Sequence, residues 1–131
     1  MTAPEPHHIS FRVYYEDTDA GGIVYHANYL KFAERARVEA MRVSGWTPKR
    51  IADEFGMLFV VRHIEIDFRA SARLDDLIEA RTTLETIGSS SFTLRQEFWR
   101  GATLLVGLKI VLVTIDASGK PAVFPHLQEL L

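Results

Sequence analysis

The chain has 131 residues, with 15 Lys and Arg against 17 Asp and Glu for a formal charge of -2. That length supports one domain with a real core and is short for two, and so even a charge balance gives no ground for a nucleic-acid partner or an anionic membrane surface. Cysteine is absent, which excludes disulfides, thiolate metal sites and a cysteine nucleophile.

The opening "MTAPEPHHISF" has no basic segment followed by an apolar run, so a secretory signal is not expected and a cytoplasmic location is. Residues 1–8 are Pro-rich and read as a flexible leader, with no evident partner for His7 or His8. The β-branched and aromatic "ISFRVYY" over residues 9–15 predicts a first strand. A loop follows. Tyr29, Phe32, Ala33, Ala36, Ala40 and Val43 recur at helical spacing and predict a helix over residues 28–44, with Gly45 at its C′ position and Arg35 and Glu39 paired across one turn. Three alanines on that stripe imply close approach by a sheet, while the helix's charges read as a solvated face.

Thr47 and Pro48 read as an N-cap and first residue of a short second helix that Gly56 closes. In "RHIEIDFRA" the period becomes two: Ile64, Ile66 and Phe68 point one way, and His63, Glu65, Asp67 and Arg69 the other. "LIEARTTLETI", "FTLRQEFW" and the run over residues 104–115 complete the strands, separated by "LDD", "GSSS" and "RG" turns. The last run carries Lys109 and is much shorter than the ~20 residues of a spanning helix. It reads as a central strand, and no membrane insertion is expected. "HLQELL" suits a final helical turn, with no evident partner for His126. The sum is a single α+β domain over residues 1–131, an antiparallel sheet of five or more strands with one long helix. Its edges and uncovered face call for self-association.

The chemistry concentrates in "YEDTDAGGIVYHANYLKF", residues 15–32. Asp17, Asp19 and Gly22 match three positions of a calcium loop, but Gly21 and Asn28 miss two others and no helix precedes them. "AGG" before a helix start also suits an anion, since free N–H groups and a dipole of roughly +0.5 charge collect there. The same groups suit a carbonyl oxygen turning into an oxyanion, with Asp19 as general base or nucleophile and His26 orienting water or substrate. Against all three stands a purely structural role, in which the acids and Asn28 cap turns and the glycines only permit positive φ. Pattern alone leaves these four open.

"RVYYEDTDAGGIVYHANYLKFAERAR" with "FVVRHIEIDFRASARLDD" resembles the YbgC-type, Tol-Pal-associated acyl-CoA thioesterases of the 4-hydroxybenzoyl-CoA thioesterase superfamily. The resemblance implies a hot-dog fold, in which an antiparallel sheet wraps a long helix. It assigns catalysis to Asp19, His26 and Tyr15, with a backbone N–H near His26 polarising the thioester carbonyl and with Gly22 and Ile23 beside the substrate. It implies a homodimer, or a tetramer built as a dimer of dimers, whose partner chain supplies Val60, Val61 and Arg62 to the acyl pocket. No metal or prosthetic group is implied. CoA arrives as part of the substrate, a small aliphatic or aromatic acyl-CoA, and acyl carrier protein is a further candidate partner. One departure matters: "GSSSF", residues 88–92, lacks the basic cluster that holds nucleotide phosphates in the aromatic branch, so those contacts do not carry over. A non-catalytic module that binds acyl thioesters or acyl carrier protein is the alternative of a different class.

Overall fold

The computed structural model describes residues 5–131. Five strands, β1 (His7–Arg12), β2 (Leu58–Phe68), β3 (Leu77–Ile87), β4 (Ser91–Arg100) and β5 (Thr103–Ile115), and two helices, α1 (Asn28–Ser44) and α2 (Pro48–Phe55), follow one another in the expected sequence. All strand pairs are antiparallel. The sheet order is β1-β3-β4-β5-β2, so the meander β3-β4-β5 forms its centre and the two strands nearest the helices in sequence form its edges. With the long helix held against one face, this is the hot-dog fold.

Small side chains set how closely α1 and the sheet approach. Ala33 and Ala36 are fully buried, and the Gln96 amide of β4 donates to the Ala33 carbonyl at 2.9 Å and to Thr82 Oγ1 at 3.0 Å. A bulkier residue at either alanine would separate the layers. Around this contact Tyr29, Phe32, Phe98 and Leu105 fill one core, and Met41, Ile51, Phe92 and Phe124 fill a second under α2 and the C-terminal segment. Gly45 ends α1 in the left-handed region at φ 88°, with its N–H donating to the Arg42 carbonyl. Thr47 caps α2, its side chain accepting from the Arg50 N–H at 3.2 Å.

Several expectations need correction. β1 begins at His7 and stops at Arg12, so His7 and His8 belong to the strand and Tyr15 does not; of the expected leader, residues 1–4 lie outside the described residues. His8 Nδ1 sits 3.1 Å from Glu79 Oε1 on β3. His126 has partners too: its ring stacks on Trp46 at 4.5 Å between centroids and its Nδ1 lies 2.9 Å from Glu129, which docks the turn Leu127–Glu129. The apolar stripe of α1 stops short of Val43, which is 77 % exposed. Glu39 pairs with Arg42 in place of Arg35. Arg37, read as part of a solvated face, is buried.

β2 is longer than the alternating pattern suggested, and a bulge explains why. Its pairing with β5 shifts between Val61 and His63, leaving Arg62 as the extra residue, so the inward phase changes from odd to even numbers at that point. Phe59 before it and Ile64 after it both pack on the core. A second irregularity leaves Leu105 unmatched where Phe98 and Trp99 of β4 oppose Val106 and Leu104. The Leu105 carbonyl accepts instead from the N–H groups of Arg69 and Ala70, at 2.8 and 3.0 Å. That fixes the exit of β2 beside α1. Among the described residues no helix is long and apolar enough to cross a membrane.

Candidate active site

The two aspartates of "EDTDAGG" do different work. The Tyr14 N–H donates to Asp17 Oδ2 at 2.8 Å, closing the 3-10 turn Tyr15–Asp17. The Asp17 carbonyl accepts from the Tyr25 N–H at 3.0 Å and from the Asn28 side chain at 2.9 Å. Asp17 and Asn28 therefore tie the loop's two ends together. Among the described residues no three His, Asp or Glu side chains come together as a metal site.

Asp19 opens the next turn. Its N–H donates to the Ile23 carbonyl at 2.9 Å and its carbonyl accepts from the Gly22 N–H at 3.0 Å, with Gly22 at φ 79°, a conformation that glycine adopts without strain. The Gly21 N–H donates to Asp19 Oδ1 at 2.8 Å, holding one oxygen and leaving the carboxylate exposed. The loop is anchored behind by bridges from Thr18 to Val24 and from Ile23 to Arg73, and by the Val24 N–H on the Ala72 carbonyl at 2.9 Å.

Asp19 and His26 line a cavity of about 270 Å³ with Ile23, Tyr29, Phe68 and Arg69. The His26 ring leans on Tyr25 and stands edge-on to Phe68, with centroids 4.6 and 6.2 Å away. At the floor, burial holds the Tyr29 hydroxyl above its ordinary pKa, opposed by the Ala72 N–H that it accepts at 3.3 Å. Just beside the cavity α1 begins at Asn28 with no side chain capping it. The Asn28 and Leu30 N–H groups donate to the Tyr25 and Ala27 carbonyls at 2.8 and 3.2 Å, and the other early N–H groups of a helix lack partners within it and carry positive partial charge. A carboxylate, an imidazole and such donors around one space suit attack on a carbonyl group.

The other expected residues divide. Ile23 lines the cavity, and Gly22 shapes the turn without lining it. Tyr15 is 82 % exposed and outside the cavity. Val61 lines a second, apolar cavity of about 260 Å³ between α1, α2 and the start of β2, together with Leu58 and Phe59, whereas Val60 and Arg62 line neither. Within one chain, residues 60–62 and Asp19 are not brought together. Sequence reading missed Tyr29, Phe68 and Arg69 as site walls. Tyr29 was counted as core, and Phe68, read as inward-facing, is 47 % exposed against the His26 ring.

A family model described as the thioesterase superfamily matches residues 21–106. The chain is 39 % identical over 115 residues to the acyl-CoA thioesterase YbgC of Haemophilus influenzae, covering 87 % of this chain and 85 % of that one. It is 40 % identical over 116 residues to the acyl-CoA thioester hydrolase YbgC of Escherichia coli O6:H1, covering 87 % and 86 %. A probable thioesterase from Bartonella henselae superposes with a TM-score of 0.89 at 36 % identity, over 92 % of this chain and 99 % of that one. A mutant 4-hydroxybenzoyl-CoA thioesterase in complex with 4-hydroxybenzoyl-CoA superposes with a TM-score of 0.88 over 98 % and 100 %, but at 18 % identity it speaks to the fold alone. The chain belongs to the thioesterase superfamily. Within it, the match places the chain with the YbgC-type acyl-CoA thioesterases.

Proposed function

We propose that this protein hydrolyses small acyl-CoA thioesters, with Asp19 as the reacting carboxylate and the start of α1 as the oxyanion site. The observation that carries this reading is the shared cavity of Asp19 and His26 beside the uncapped helix start. As general base, Asp19 takes a proton from water while the water oxygen attacks the thioester carbon. The carbonyl oxygen becomes an oxyanion facing the helix N–H groups. As it collapses, the C–S bond breaks and CoA leaves as thiolate, taking up a proton. As nucleophile, the same carboxylate attacks the carbon directly and the C–S bond breaks to expel CoA thiolate, which takes up a proton; water then hydrolyses the resulting anhydride to the free acid and the Asp19 carboxylate. His26 orients water or the thioester in either route, and nothing beyond the CoA carried by the substrate is required.

The reading includes a homodimer formed across the β2 edge, alone or paired into a tetramer. Phe68 stands against His26 at one end of β2, and Leu58, Phe59 and Val61 line the apolar cavity at the other. Two-fold pairing of β2 edges brings each chain's apolar end toward its partner's Asp19. The acyl chain would then extend toward the partner's Val61, flanked by the partner's Val60 and Arg62. A role for Tyr15 finds no support in its exposed position.

Release of CoA thiol, followed with DTNB across aliphatic and aromatic acyl-CoAs and acyl-carrier-protein thioesters, tests the reading. Turnover of at least one small acyl-CoA, slowed in His26→Ala, is expected. Binding of the whole panel without thiol release would overturn it in favour of a non-catalytic acyl-thioester module.

A further inference from the structure

Arg37 is the one buried charged residue among the described residues. Its side chain is 9 % exposed and its Nη1 has no hydrogen-bond partner. A buried guanidinium nitrogen left without a partner is costly. Burial lowers its pKa, and Glu34, one turn earlier on α1, raises it through space. Glu34 is exposed, and the ion pair that forms within α1 joins Glu39 to Arg42 instead. An acid and a base on one helix face are thus both left without a partner among the described residues.

Their place in the fold says what could pair them. Both line the apolar cavity together with Leu58, Phe59 and Val61 of β2, an edge strand of the sheet. The start of α1 lies by Phe68 at the end of β2, since Tyr29 packs on that ring at 6.0 Å between centroids. The later part, at Met41, shares the cavity with Leu58 and Phe59 at the start of β2. The Glu34–Arg37 turn therefore sits opposite the middle of the strand. A two-fold axis through the middle of β2 brings the same turn of two α1 helices together, running in opposite directions. Residues three apart on facing antiparallel helices then exchange partners reciprocally, as an isologous interface requires.

We infer that Glu34 of each chain pairs with Arg37 of a second copy, forming two symmetric ion pairs at the centre of the dimer. The inference rests on the dimer across β2 and names the charges that fix its register. Exposed apolar residues lie on the same two elements, with Leu30 of α1 39 % and Val61 and Leu58 of β2 44 % and 50 % exposed in the single chain. A second copy would remove them from water together with the ion pairs.

Complementary charge reversal tests this by sedimentation equilibrium. Glu34→Arg alone and Arg37→Glu alone each place two like-charged pairs in a homodimer, and each is expected to weaken self-association tenfold or more. An equimolar mixture of the two variants should recover tight association, because a heterodimer of Glu34→Arg with Arg37→Glu has two opposite-charge pairs. The doubly reversed chain should also recover it. If the double variant recovers and the mixture does not, the pair lies within one chain and the inference falls. A wild-type dimer with single variants that associate equally well would overturn the ion pairs and leave the dimer standing. A monomeric wild-type chain would overturn both. Should a reversal prevent folding, the neutral pair Glu34→Gln and Arg37→Met serves in a double-mutant cycle of association constants, in which additivity would contradict the inference.

Discussion

At the scale of single residues, the site depends on which aspartate is spent on structure. Asp17 closes a turn through the Tyr14 N–H; Asp19 accepts one bond from the Gly21 N–H and keeps its other oxygen free for chemistry. Of the two adjacent glycines, Gly21 is the one whose substitution would press on the carboxylate, whereas at Gly22 it is the positive φ of 79° that opposes a side chain. A Cβ at Gly21 would stand 3.1 Å from Asp19 Oδ1, while one at Gly22 meets no atom within 4 Å. Gly21→Ala is therefore expected to displace the carboxylate and lower kcat at least tenfold, with a melting temperature near that of the wild type. An equal loss of stability, or unchanged kcat, would show that the Asp19 position is not fixed by this contact. That Asp19 and His26 share one cavity was legible, because they stand seven residues apart on either side of a tight turn before a helix. That Tyr15 stands outside this cavity was not legible, because the short turn at residues 15–17 leaves it exposed, and spacing in sequence carries no such direction.

At the scale of elements, the helices could be read closely, because caps and closing glycines are local signals: Thr47, Pro48, Gly45 and Gly56 stand where the structure uses them. The edge strands were legible only in part. β2 changes phase at the Arg62 bulge, so its first half does not continue the alternation of its second. Whether a strand bulges depends on its neighbour, which is remote in sequence. The same holds for the connection from β2 to β3, which forms the back wall of the site. Asp76 anchors it, accepting from the Arg73 N–H at 2.8 Å and from Arg100 Nη1 at 2.9 Å. Burial works against ionisation of Asp76, but the Arg73 N–H and the Arg100 guanidinium prevail and hold its carboxyl below the ordinary 3.8. A depressed folded-state pKa stabilises the fold above the unfolded value, and the gain is lost as pH falls through the folded value. Asp76→Asn should thus melt lower than the wild type at neutral pH, with the gap closing as the pH is taken below 3.8. A gap that stays constant across that range would contradict the assignment.

At the scale of the molecule, one chain keeps its two cavities apart. The cavity of Asp19 and His26 lies at one end of β2 and the apolar cavity with Val61 at the other. This separation could not be read from sequence, which shows that "FVVR" and "DTDAGG" are both present but not that a sheet holds them apart. Two-fold pairing of β2 edges, with Glu34 and Arg37 at its centre, would join the two cavities. The apolar cavity would then set which acyl chains are accepted, and Asp19 would do the chemistry.

The central claim is that the Asp19 carboxylate reacts. Asp19→Asn keeps the side chain's size and the oxygen that accepts from Gly21, and removes the charge. Its thiol-release rate, measured with DTNB on the best substrate of the wild type, should fall by about 10²- to 10⁴-fold, with an unchanged thermal melt and substrate still bound. A variant that turns over acyl-CoA at the wild-type rate would contradict the account.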